Sequence, residues 1–173
     1  TYPAPNEIDL MASVDAAVAA GIADPDNLFV TGGSGGGLLT AWLTGHTNRF
    51  KAAAVQKPVI NWTTQALTAD GIPFFGRYWM GKQPWEDPET YWKRSPLSLA
   101  GKVRTPTLVV VGGEDLRTPV GEAEQWYSAL RLQGVPTALV KVPGAPHSLD
   151  QRPSQAAARA AAITAWFDKY RKK

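Results

Sequence analysis

The chain has 173 residues, 44% of them hydrophobic and 19% charged, the balance of a globular protein long enough for one domain with a real core but not comfortably for two. Its formal charge of +3 comes without a basic cluster interleaved with aromatics, which argues against nucleic acid as a partner. The lack of cysteine excludes disulfides, thiolate catalysis and zinc–thiolate sites, and no apolar run is long enough to span a membrane.

The elements alternate. "NEIDLMASVDAAVAAG" predicts a helix, with Asn6 as its cap, Ile8, Met11, Val14 and Val18 at helical spacing, and Gly21 as its stop. "IADPDN" is a turn, "LFVT" (28–31) a short buried strand, and Gly35 to about Thr44 a second helix. "KAAAVQKPVI" holds a strand near 52–55. Residues 61–100 differ in kind, with many aromatics among prolines and glycines, and read as short helices and loops. "TPTLVVVGG" is the clearest strand. "PVGEAEQWYSALRLQG" is a helix opened by Pro119 and closed by Gly134, "TALVKVPG" is a further strand, and "QAAARAAAITAWFDKY" is a terminal amphipathic helix. Strands alternating with helices imply an α/β fold, a parallel sheet covered by helices on both faces.

The chemistry centres on "LFVTGGSGGGLLTAW". A dinucleotide fingerprint fails there, because the required glycine positions fall on Leu38 or Ser34, and a phosphate loop fails because Leu38 stands where a lysine is needed. The pattern G-x-S-x-G is met by Gly32, Ser34 and Gly36 between a strand and a helix. Such a turn exposes a serine hydroxyl, and the Gly35 amide then points where an oxyanion would form. Of the two histidines, His46 lies about ten helical residues beyond Ser34, on the order of 15 Å away, and reads as a surface residue. His147, in "PGAPHSL", follows a strand and shares the sheet edge of Ser34. Glu114 and Asp115 follow "TLVVVGG" and supply the acid between serine and histidine in chain order.

These segments resemble the prolyl oligopeptidase family of serine peptidases, within the α/β-hydrolase fold. The likeness runs through "DPDNLFVTGGSGGGLLTAWLT", "RFKAAAVQKPV", "WKRSPLSLAGKVRTPTLVVVGGEDLRTP", "VPGAPHSL" and "AWFDKY", closest in flavour to the acylaminoacyl-peptidase and dipeptidyl-peptidase branches. The resemblance implies Ser34 as nucleophile, His147 as base, and Asp115 rather than Glu114 as acid, because "DLRTP" matches the family's D-x-R-x-P segment. It also implies a substrate-carbonyl role for Arg117, whose alternative is pairing with a nearby carboxylate. Phe74, Phe75, Tyr78 and Trp79 become candidates to line the substrate pocket. Glycine at position 35 departs from the bulky aromatic of many relatives and removes a pocket wall.

The resemblance further implies that residues 1–173 are the C-terminal portion of a catalytic domain, with only the C-terminal half of the sheet. The family's second oxyanion donor and its β-propeller would lie ahead of Thr1. The expected reaction is serine-type hydrolysis of short or N-blocked peptides. The same machinery in a carboxylesterase, or a silent half-domain that needs a partner chain, are the alternatives. Expected partners are a peptide or ester substrate and either an N-terminal fragment or a second copy covering the exposed sheet edge, with no nucleic acid and no membrane. No metal or cofactor is implied. A cytoplasmic location is expected, with periplasm and secretion left open by a start at Thr1.

Overall fold

A computed structural model describes residues 3–71 and 74–172, so Thr1 lies outside the described residues. Its frame is a four-stranded parallel sheet in the order β1 (Phe29–Ser34), β2 (Ala52–Pro58), β3 (Thr107–Gly112) and β4 (Thr137–Val142). The helices are α1 (Ala4–Ala19), α2 (Gly35–His46), α3 (Trp62–Thr68), α4 (Pro88–Arg94), α5 (Val120–Leu132) and α6 (Pro153–Tyr170). This is the expected α/β fold.

Strand alternation assigns the two faces. In β3, Val109 and Val111 pack with Trp126 and Leu130 of α5, while Leu108 and Val110 pack towards Ile163, Trp166 and Phe167 of α6. All six residues of β3 are buried, as expected for an inner strand covered on both sides. β1 and β4 are half-buried edges.

Several boundaries differ from the sequence reading. Helix α1 begins after Pro3 and not at Asn6, because Pro5 fits a first turn whose amides need no helical partner. Gly21, at φ +70°, ends it as expected, with its amide on Val18 and that of Ile22 on Ala17. Strand β1 runs on through its glycines, since Gly32 and Gly33 pair with Val55 and Gln56 of β2. Helix α2 likewise extends to His46. Between β2 and β3 the chain forms α3, a π-helical stretch (Phe75–Met80), α4 and a 3₁₀ stretch (Pro96–Lys102), in keeping with the short helices expected there. Among the described residues no helix is long and apolar enough to cross a membrane.

Candidate active site

Ser34 closes β1 and stands directly before α2 with φ 60° and ψ −120°, a conformation that an L-residue holds only when its surroundings enforce it. The glycines around it do so. A Cβ on Gly32 would lie 2.4 Å from the Gly36 carbonyl oxygen, and one on Gly37 would lie 2.3 Å from that of Gln56. A Cβ on Gly36 itself would meet nothing, so the steric demand falls on Gly32 and Gly37. The turn is tight because two backbones cross there and α2 rides directly on β2.

The C-terminal ends of β3 and β4 supply the other two groups. Gly112 admits the loop after β4, for a Cβ there would lie 2.2 Å from the Ala145 carbonyl oxygen. That loop carries His147. Its Nε2 lies 3.0 Å from Ser34 Oγ, and its Nδ1 lies 2.8 Å from Asp115 Oδ2. An Nδ1–H that donates to the carboxylate leaves Nε2 to accept the serine proton. Leu149, two residues on, is buried with φ 63°, so strained backbone flanks this group as well.

Asp115 is 2% exposed. Its Oδ1 accepts the amides of Arg117 (3.0 Å) and Thr118 (2.9 Å). Burial alone would raise its carboxyl, but the bonds from His147 and Thr118 outweigh it and hold the group below the usual carboxylate value. Thr118 Oγ1 sits 3.1 Å from Asp115 Oδ2, 3.2 Å from His147 Nδ1 and 3.0 Å from the Lys57 carbonyl oxygen. Glu114, by contrast, is exposed and makes its amide bond to Ala145, away from His147. His46 ends α2 on the far side, against Glu7 and the Trp42 carbonyl.

A cavity of about 480 Å³ opens at Ser34 and His147. Its apolar wall is formed by Leu38, Val59, Trp62, Phe74, Phe75 and Trp79, with Gly35, Gly71, Arg117 and Thr118 completing the lining. Of the four aromatics picked from the sequence, Phe74, Phe75 and Trp79 are in this lining. Tyr78 is not: it is 68% exposed, packs on Phe74 at 5.3 Å between ring centroids, and lies beneath the Arg77 guanidinium. Arg117 lines the cavity and also pairs with Asp70, Nε to Oδ1 at 2.6 Å and Nη2 to Oδ2 at 3.3 Å. Of the two readings left open for it, the pairing with a nearby carboxylate is the one the structure contains.

Sequence reading missed Thr118, Leu38 and Val59 in the lining, and missed Glu122 behind it. Glu122, in the first turn of α5, is 1% exposed and accepts the amides of Ile60 and Asn61, both at 2.7 Å, together with the hydroxyl of Thr64. Burial pushes its carboxyl above the usual value, and these bonds only partly offset the effect. It pins the exit of β2, and with it Val59 and Trp62. "DLRTP" did contain Thr118, but nothing in the sequence tied Glu122 to residues 60–64. Among the described residues no cluster of His, Cys, Asp and Glu is arranged to hold a metal ion.

A serine turn at the end of a parallel strand, with histidine and acid at the ends of later strands, places the chain in the α/β-hydrolase class. The sequence profile of the prolyl oligopeptidase family matches residues 6–173, and the chain belongs to that family. It is 41% identical over 165 residues to the uncharacterized peptidase YuxL of Bacillus subtilis, covering 94% of this chain and 25% of that protein. To the acylamino-acid-releasing enzyme of Arabidopsis thaliana it is 38% identical over 173 residues, covering 94% of this chain and 22% of the relative. The Pyrococcus horikoshii acylaminoacyl peptidase superposes with a TM-score of 0.90 at 26% identity, over 96% of this chain and 28% of that one. The chain thus spans about a quarter of the length of these relatives.

Proposed function

We propose that the chain carries the nucleophilic site of a serine peptidase that cleaves short or N-blocked peptides through an acyl-enzyme. One observation carries the reading: Ser34 Oγ, His147 Nε2, His147 Nδ1 and Asp115 Oδ2 form one hydrogen-bonded line at the mouth of an apolar cavity. Ser34 Oγ attacks the substrate carbonyl carbon as its proton passes to His147 Nε2. The tetrahedral oxyanion forms beside the start of α2, where Gly35 lines the cavity and the helix dipole favours negative charge. His147 then gives its proton to the leaving amine as the C–N bond breaks. Water attacks the acyl-enzyme, its proton going to His147 and on to Ser34 Oγ, which releases the acid. Asp115 keeps the imidazole in the required tautomer and stabilises the imidazolium.

The second oxyanion donor, on this reading, is supplied from outside residues 1–173, by an N-terminal segment of a catalytic domain that pairs along β1 or by an associated chain. Losing one such donor costs about 2.7–4 kcal/mol of transition-state stabilisation, so turnover without it is slowed by about 10²–10³-fold. A fluorophosphonate probe should label the folded protein and fail on Ser34→Ala. Absence of labelling on folded wild-type protein would overturn the reading. Peptide anilides compared with p-nitrophenyl esters separate peptidase from esterase: ester cleavage without anilide cleavage goes against the peptidase.

A further inference from the structure

Among the described residues Arg117 is the only lysine or arginine lining the cavity, and no aspartate or glutamate lines it. A lone cation in an apolar pocket should attract carboxylates. Its surroundings oppose that. The Asp70 carboxylate takes Nε and Nη2, and Asp115 places a second negative charge behind His147. A ligand carboxylate brought to Arg117 would meet the Asp70 carboxylate already seated on the guanidinium. The remaining guanidinium N–H groups still offer hydrogen bonds to a neutral acceptor.

The pair is also built in. Gln65 Nε2 donates to the Arg117 carbonyl at 2.7 Å, and the Asp70 amide donates to the Leu116 carbonyl at 2.9 Å. The segment that leads into the aromatic wall is thereby laced to the acid loop by one backbone bond and one side-chain amide bond as well as by the ion pair. Asp70 and Arg117 are 47 positions apart, and neither of these two bonds depends on the Asp70 side chain.

We propose that Asp70 is a specificity-determining residue: by neutralising Arg117 it makes the cavity select uncharged carbonyl groups over carboxylates at that position of the substrate. This rests on the reading of the cavity as the substrate site. Asp70 acts through Arg117 and is a positioning residue, not a catalytic one.

The test compares two ligands, N-acetyl-alaninamide and N-succinyl-alaninamide, the second of which carries an added carboxymethyl group and so a carboxylate. Binding to the full chain is read by tryptophan fluorescence, since Trp62 and Trp79 line the cavity. In Asp70→Asn the succinyl ligand should bind roughly tenfold more tightly relative to the acetyl one than in wild type, and the gain should shrink with added salt. Asp70→Glu should restore the wild-type ratio, and Asp70→Asn combined with Arg117→Ala should show no gain. An unchanged ratio in Asp70→Asn, or an equal change for both ligands, overturns the proposal. If Ser34 is still labelled by the fluorophosphonate in that case, the hydrolase reading stands and only the role of Asp70 falls. No fluorescence response to either ligand, in wild type and variant alike, overturns the proposal together with the assignment of the cavity.

Discussion

The two sides of the cavity are held by different forces. On the sheet side, Ser34 and His147 are placed by backbone: Gly32, Gly37 and Gly112 permit contacts that no side chain could survive, and Ser34 and Leu149 hold positive φ. On the other side, Trp62, Phe74, Phe75 and Trp79 are placed by one another, with ring centroids 5.5–6.2 Å apart, and Phe74 is half exposed. A backbone-built wall tolerates almost no change, whereas a wall of rings can be re-cut one residue at a time. Chemistry on the rigid side and selection on the adjustable side is the division expected when function sits on loops carried by a fixed scaffold.

Substitutions can break that contrast. The largest effect belongs to the hydrogen-bonded line. Ser34→Ala should cost about 10⁶ in kcat and Asp115→Asn about 10⁴, with the fold retained by circular dichroism. Next come the glycines. Gly112→Ala should destabilise by about 3 kcal/mol in urea denaturation, because its Cβ would meet main-chain atoms that cannot move aside. Gly36→Ala should be neutral or stabilise by up to about 1 kcal/mol, since its Cβ meets nothing and alanine favours the helix. Equal losses at both positions would show that open space around a glycine is no guide here.

Thr118→Val should lower kcat/KM roughly tenfold while KM stays near its wild-type value, as expected when a hydroxyl that steadies Asp115 and His147 is lost. On the adjustable side, Phe75→Ala should raise KM several-fold with little change in kcat, and Tyr78→Ala should change neither, because Tyr78 stands outside the lining. A KM effect at Tyr78 equal to that at Phe75 would remove the distinction between them.

The two buried acids give opposite pH signatures. Asp115 has a folded pKa below its unfolded value, so its contribution to stability is present above the ordinary carboxylate range and is lost as pH falls through the folded value. Glu122 has a folded pKa above its unfolded value, so its contribution is present in acid and is lost as pH rises through the folded value. Urea midpoints taken between about pH 3 and 7 should therefore show Glu122→Gln gaining on wild type as pH rises. Asp115→Asn should lose ground over the same interval. Parallel curves for the two variants would contradict both assignments.

Much of the frame was legible because local signals carried it. The apolar runs near 52–55 and within 105–113 read as strands and are strands, and Gly21 and Gly134 stop their helices at positive φ, a conformation open to glycine at little cost. The start of α1 was misplaced because a proline in the first turn and a polar cap residue compete, and the local pattern does not rank them. The aromatic segment was legible as a kind of structure but not residue by residue. Phe75 and Tyr78 are equally aromatic, and which one faces the cavity depends on the winding of the π-helical stretch that holds both.

By itself the sequence determined the alternation of strands and helices, the serine turn, and the order Ser34, Asp115, His147 along one sheet edge. It could do so because strand period, glycine placement and chain order are properties of neighbouring residues. Only the tertiary structure decided that Arg117 meets Asp70, that Glu122 seats in the exit of β2, and that Thr118 touches both acid and histidine. Apart from the contact of Thr118 with Asp115, three residues before it, those meetings join residues far apart in the chain, and they are set by how two layers of helices close over the sheet, which no local pattern encodes.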